Sequence, residues 1–266
     1  MLREITLGQY YPAKSVLHSL DPRVKLFSTL VFIITLFAAN NVVLFAVVLL
    51  TLFGIIKMSH VPFSFMIKGL RSIIVLLIIA GLFNLFLTPG KTLASFWIFT
   101  ISDVGLKNAV LMTSRMVLLI IGTSIMTLTT TPNQLTDGLE KSLGFLKKVG
   151  APVHEISMMM SIALRFIPIL IEETDKIMKA QMARGADFET GGLIKKAKNM
   201  VPLLVPLFVS AFRRANDLSF AMEARCYNGG EGRTKMRPLK YSSLDQRAYI
   251  CVFTYIIVFF VAKGLL

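Results

Sequence analysis

Two short stretches carry the residues best suited to recognition chemistry. Ala180-Gln181-Met182-Ala183-Arg184-Gly185 and Ala221-Met222-Glu223-Ala224-Arg225-Cys226 share the pattern Ala-x-x-Ala-Arg, and their arginines stand 41 residues apart. Alanines three apart share one face of a helix and leave it clear, so another surface can approach closely. The arginine beyond them offers a planar fork matched to a carboxylate. Taken singly, each arginine also reads as a terminal cation favoured by the helix dipole. Two copies of the same face point instead to two similar receiving sites. Catalytic chemistry has no comparable support. The chain lacks G-x-x-x-x-G-K-[ST], the loop that cradles ATP phosphates. His18, His60 and His154 are scattered, without the spacing of a metal site. His18 reads as a hydrogen-bonded surface or packing residue. The chain is expected to be non-catalytic, with no cofactor.

Each signature closes an amphipathic helix. Ile167, Leu170, Ile171, Thr174, Ile177, Met178 and Met182 step by three or four, with Glu172, Glu173, Asp175, Lys176 and Lys179 between them. Leu204, Leu207, Phe208, Ala211, Phe212, Ala215, Leu218 and Met222 repeat the pattern against Arg213, Arg214, Asn216, Asp217 and Glu223. Glycine stop signals follow, Gly185 after the first helix and Gly229-Gly230 shortly after the second. Gly185, Gly191-Gly192 and Gly229-Gly230 are candidate hinges.

The surrounding composition is that of a membrane protein. Of 266 residues, 55% are hydrophobic and only 17% charged, yet the net charge is +14; mean hydropathy is +0.68. A soluble globule or a nucleic-acid binder would not combine these values. Four apolar regions stand out: 26–56, interrupted by Asn40-Asn41, then 73–87, 109–128 and 248–262. The first is too long for a single hydrocarbon core of roughly 30 Å, so it reads as two helices turning at the asparagines. Five membrane helices result. With the N-terminus inside, 25 of the 29 Lys and Arg fall in the inner segments 1–25, 57–71 and 130–247. A crossing at 153–171 is the rival; alone it would export most of the later cations, and a repairing second crossing at 200–212 is short. The expected organisation is a cytoplasmic N-terminal segment 1–25, a four-helix membrane domain 26–129, a cytoplasmic domain 130–247 of amphipathic helices, and a final membrane helix 248–266. Residues 1–25 are too polar for a cleavable signal peptide, and Cys226 and Cys251 are too few for a disulfide framework. Arg115 is the one charge inside a confident span; it either snorkels outward or makes a polar contact in the bundle.

Together, these features resemble the transmembrane T component of energy-coupling factor (ECF) importers, the EcfT/CbiQ family. That family closes two coupling helices with Ala-Arg-Gly. Ala183-Arg184-Gly185 is intact; in the second copy Cys226 replaces the glycine, and that helix is expected to end differently, at Gly229. Tyr11-Pro12, Ser15, His18, Leu20-Asp21-Pro22-Arg23 and Lys25 are similar to the family's N-terminal signature. Thr131-Pro132 with Leu135, and Leu164-Arg165-Phe166-Ile167-Pro168 with Glu172, are similar to its later segments. Asp21-Pro22 also reads as an N-cap with proline at the first helical position.

The resemblance implies an all-α polytopic membrane protein with about five membrane helices and long cytoplasmic coupling helices. It implies a multi-pass subunit of the bacterial plasma membrane, with the N-terminus and coupling domain cytoplasmic. The implied partners are two ABC-type ATPase subunits (EcfA and EcfA′), which hydrolyse the ATP, a small membrane-embedded S component that selects a vitamin or similar micronutrient, and the lipid bilayer; nucleic acid is not one. Arg184 and Arg225, with Ala180, Ala183, Gly185, Ala221 and Ala224, are the implied ATPase-coupling residues. A self-contained secondary transporter and a membrane-bound lipid-modifying enzyme are the alternatives. The first would carry internal membrane repeats and buried ionisable residues; the second would need clustered Asp, His or Glu. Methionines gathered around 158–160, 178, 182, 200 and 222 are core filler or a pliable partner surface.

Overall fold

The computed structural model describes residues 10–265 apart from 72, 97–98, 189–191, 231, 233, 235 and 237. The chain is all-α, with one short hairpin. In order run α1 (Val16–Ser19), α2 (Pro22–Ala38), α3 (Val42–Ser59), α4 (Phe63–Arg71) and α5 (Ile74–Leu87). The hairpin β1 (Thr92–Phe96) and β2 (Phe99–Ser102) follows, then α6 (Asp103–Thr129), α7 (Pro132–Ser142), a 3-10 segment (Leu143–Val149), α8 (Val153–Ala183), α9 (Leu193–Glu223) and α10 (Ser243–Leu265). The chain divides into two compact units, Ser142–Pro238 and the remainder on either side of it.

The unit built from 10–141 and 239–265 holds every apolar stretch read as a membrane helix. The long first stretch breaks where Asn40-Asn41 interrupt it, giving α2 and α3. Phe32, Leu36, Leu44, Val48, Leu52, Met66, Ile121, Ile125, Leu128 and Phe259 form its core, while Leu50, Phe53, Val75, Leu76, Phe83 and Ile257 are exposed. Apolar side chains pointing outward along long helices are what a hydrocarbon solvent favours. α3, α6 and α10 are long and apolar enough to cross a membrane; α5 is shorter. Glycines permit close approaches between the helices, at Gly122, Gly105 and Gly138 among them. A Cβ at Gly122 would overlap the Phe32 ring, and one at Gly105 would meet the Leu85 carbonyl at 2.8 Å. The antiparallel hairpin β1–β2 between α5 and α6 had no sequence signal; Ser102 ends it and caps α6, accepting from the Gly105 N–H and donating to Thr88 O at 2.8 Å.

Arg115 takes the second of its two readings. Its Nη2 donates to the Ala39 carbonyl at 2.7 Å, at the C-terminal end of α2, where orphan carbonyls and the helix dipole favour a cation.

The unit Ser142–Pro238 contains the 3-10 segment, α8 and α9. α8 and α9 have 31 residues each. α8 is also long and apolar enough to span, although Glu172, Glu173, Asp175, Lys176 and Lys179 all lie in its second half.

Candidate functional site

Both signatures end their helices with the same hydrogen bonds. At the first, Arg184 N donates to Gln181 O, Gly185 N to Met182 O and Ala186 N to Gln181 O. At the second, Arg225 N donates to Met222 O, Cys226 N to Glu223 O and Tyr227 N to Met222 O. Each pairing is a Schellman cap, with the arginine immediately before the left-handed residue. Gly185 fills that position at φ 86°, and Cys226 fills it at φ 55°. The expectation that the second helix runs on to Gly229 is therefore corrected. The cap's two bonds hold Cys226 in the glycine conformation, so the cysteine changes the cost of the turn and not its shape. All the signature residues, Ala180, Ala183, Arg184, Gly185, Ala221, Ala224 and Arg225, are exposed. Of the candidate hinges, Gly192 precedes α9 as its N-cap residue and Gly229 has φ 76°; Gly191 lies outside the described residues. A Cβ at Gly230 would overlap the His154 imidazole, so that glycine serves close packing.

α8 and α9 pack antiparallel, and the contacts obey the 41-residue spacing. Arg214 Nη2 meets Glu173 Oε2 at 3.4 Å, and these two residues are themselves 41 apart. Toward one end, Gln181 Nε2 donates to the Pro202 carbonyl at 3.4 Å. That carbonyl would normally accept from residue 206, but Pro206 has no N–H to give. Toward the other end, Met222 joins Ile162, Phe166 and Leu170 along a largely apolar groove of about 320 Å³ that Ala211 and Leu218 also line, with Arg214 at its edge. Gln181 and Met222 occupy the same place in their respective signatures. Equivalent residues thus face the opposite helix on either side of the Glu173–Arg214 pair, as a local two-fold axis through that pair requires. Each arginine lies eleven residues beyond it, about 16 Å at 1.5 Å per residue. The helices run oppositely, so the two tips point apart, of the order of 30 Å from one another. Glu173 and Arg214 are partly exposed, so the pair marks the crossing and adds little stability.

The N-terminal signature folds into a polar clasp within the other unit. Tyr11 N donates to Leu128 O at 2.9 Å, near the end of α6. His18 Nε2 donates to Tyr11 O at 3.0 Å, which leaves Nδ1 to accept from Ser15 Oγ at 2.7 Å. Burial holds the His18 pKa below its ordinary value, against the hydrogen bond to Tyr11 O, which favours the charged ring; nearby Lys25 lowers it further. Asp21 caps α2 through Arg23 N and grips the Arg23 guanidinium at 2.9 and 2.8 Å. Lys25, 4% exposed, donates to Thr129 O at 2.8 Å and His18 O at 3.4 Å.

Sequence reasoning missed the partner of this clasp. Asp245 Oδ1 accepts from Asp21 N at 2.7 Å, its Oδ2 accepts from Ser242 N, and Tyr241 lies under Arg23 at 3.8 Å. The signal was present in Ser242-Ser-Leu-Asp245, a capping box that starts α10. Thr131-Pro132-Asn-Gln134 is a second box: Gln134 N donates to Thr131 Oγ1 and Thr131 N to Gln134 Oε1, starting α7. These signature residues therefore position backbone. Among the described residues, no group of three or more His, Cys, Asp or Glu converges to hold a metal.

Comparison with known proteins agrees with this anatomy. The family described as CbiQ, cobalt transport protein, matches residues 13–236. A Clostridium kluyveri protein named energy-coupling factor transporter transmembrane protein EcfT is 53% identical over 254 residues, 94% of each chain. Proteins of the same name from Thermosediminibacter oceani and Bacillus subtilis are 47% and 48% identical. The former covers 94% of each chain, the latter 92% of this chain and 93% of its own. A family match across most of the chain and identity near one half over nearly its full length leave one assignment: this multi-pass membrane protein belongs to the CbiQ/EcfT family of transporter transmembrane components.

Proposed function

We propose that the chain is the coupling scaffold of an ECF-type ABC importer, joining two ABC-type ATPases, EcfA and EcfA′, to a membrane-embedded S component that binds a vitamin or similar micronutrient. Arg184 and Arg225 dock one on each ATPase. Ala180, Ala183, Ala221 and Ala224 clear the surface around them, and Gly185 turns the chain away. The ATPases hydrolyse ATP and this subunit performs no catalysis. The observation that carries the reading is the pair of identically capped, exposed arginine tips, equidistant from one crossing and of the order of 30 Å apart. Two points so far apart suit two separate subunits. ATP binding closes such a pair of ATPases, and tips held one by each must then shift relative to one another.

In this reading the N-terminus and residues 130–247 are cytoplasmic, in the bacterial plasma membrane, and α8 lies at the inner surface. The support is the cationic bias of the inner segments and the ionisable residues of α8's second half, which pair across the hairpin through Glu173 and Arg214.

Arg184→Ala and Arg225→Ala should each weaken recovery of the ATPases with the tagged chain, and the double variant should lose ATP-driven uptake while staying folded. Removing one partner of a buried charge pair costs about 2–5 kcal/mol. Arg→Lys should also impair docking, because lysine lacks the bidentate fork. Normal co-purification and uptake by the double variant would refute the assignment.

A further inference from the structure

The segment joining α7 to α8 has a surface that the transport reading does not use. Leu143–Val149 is a 3-10 segment closed by its own Schellman cap: Gly150 N donates to Lys147 O, Ala151 N to Leu146 O, and Gly150 takes φ 84°. Three residues per turn place Leu143, Leu146 and Val149 on one side, with Phe145 and Lys148 beside them and Lys147 beyond. Leu146 is half-buried, while Leu143, Phe145 and Val149 face outward. Val149 is 81% exposed and Phe145 63%, and Leu143 is exposed as well. Lys147 and Lys148 are exposed too, and no acidic residue occurs between Glu140 and Glu155. A closed turn that presents phenylalanine, valine and leucine to solvent next to two exposed lysines is poorly matched to water. It is well matched to the boundary between acyl chains and anionic headgroups.

We propose that 143–149 is an interfacial anchor, with Leu143, Phe145 and Val149 in the upper acyl region of an anionic leaflet and Lys147 and Lys148 on its headgroup phosphates. The proposal is independent of whether Arg184 and Arg225 engage ATPases.

Trp97 is the only tryptophan, so Trp97→Phe with Phe145→Trp gives the full chain a single reporter at an exposed position. In vesicles of phosphatidylcholine and phosphatidylglycerol, lipids brominated in the upper acyl chain should quench that tryptophan strongly, and aqueous iodide weakly. Adding Lys147→Glu and Lys148→Glu should lower the bromolipid quenching and raise the iodide quenching. Quenching by iodide alone would place the segment in water and overturn the proposal. Protection from both agents would place it under protein and overturn it equally. Quenching unchanged by the charge reversal would overturn the assignment to an anionic surface.

Discussion

Cys226 sits in a backbone conformation that costs an L-residue about 1–2 kcal/mol and costs glycine nothing. Glycine gives back about 0.5–1 kcal/mol through the greater freedom of its unfolded chain. Cys226→Gly is therefore expected to stabilise the second cap by up to about 1 kcal/mol, slowing amide exchange at Tyr227 about fivefold. Exchange unchanged or faster would show that the cap carries no such cost. At His18 the pH dependence follows from its sign. The folded pKa is lowered, so the clasp's full stability is present above the ordinary histidine pKa of about 6.5 and is lost as pH falls through the depressed value. Exchange at the Tyr11 amide, corrected for its intrinsic pH dependence, should accelerate on acidification below the ordinary histidine pKa and lose that response in His18→Gln. At this scale residue type and spacing singled out Arg184 and Arg225 as candidates, and both lie exposed at helix ends. Type and spacing misjudged the second cap because propensity weighs Cys226 alone, whereas two backbone hydrogen bonds decide its conformation. They could not find the Gln181–Pro202 contact, which arises from a proline on one helix and an amide on another.

Between elements, the tightest contacts are set by missing side chains and by crossings. Gly122→Ala forces α6 away from the Phe32 ring and should destabilise the membrane unit by about 1–3 kcal/mol, read as a lower midpoint of thermal unfolding in detergent. An unchanged midpoint would mean that the ring swings aside freely. The α8–α9 crossing has a functional test. Glu173→Cys and Arg214→Cys, joined by a short reducible thiol crosslinker, should leave the transport complex assembled yet block ATP-driven uptake, with reduction restoring it. Normal uptake by the locked protein would remove relative motion of α8 and α9 from the mechanism. The apolar helices α2, α3, α5, α6 and α10 were legible from apolar runs and the asparagine break, and the later parts of α8 and α9 from the 3.6-residue period; the short helices α1, α4 and α7, which carry no long apolar run, were not read. The β1–β2 hairpin was not, because its residues carry neither strict alternation nor a strong turn dipeptide. The true start of α10 was missed because hydropathy registers only its apolar part, while Ser242 and Asp245 begin the helix with polar side chains.

For the molecule as a whole, charge and hydropathy support the proposed topology, and the repeated signature supports the proposed coupling role. With Cys251 replaced, Cys226, which is exposed, should resist an impermeant thiol reagent applied to intact cells and react once the membrane is opened. Labelling from outside would overturn the inward placement of α8 and α9. What the linear sequence hid at this scale was the symmetry. The 41-residue spacing was visible, but only the antiparallel packing around Glu173 and Arg214 turns two copies of a motif into two tips pointing apart. The central claim is that each tip belongs to a different ATPase, and it is tested most directly by contact. A photoreactive amino acid placed at position 184 or at position 225 of the assembled complex should crosslink to an ATPase chain, each position to a different one of the two. Crosslinks from both positions to a single ATPase, or only to lipid and membrane-embedded partners, would contradict it.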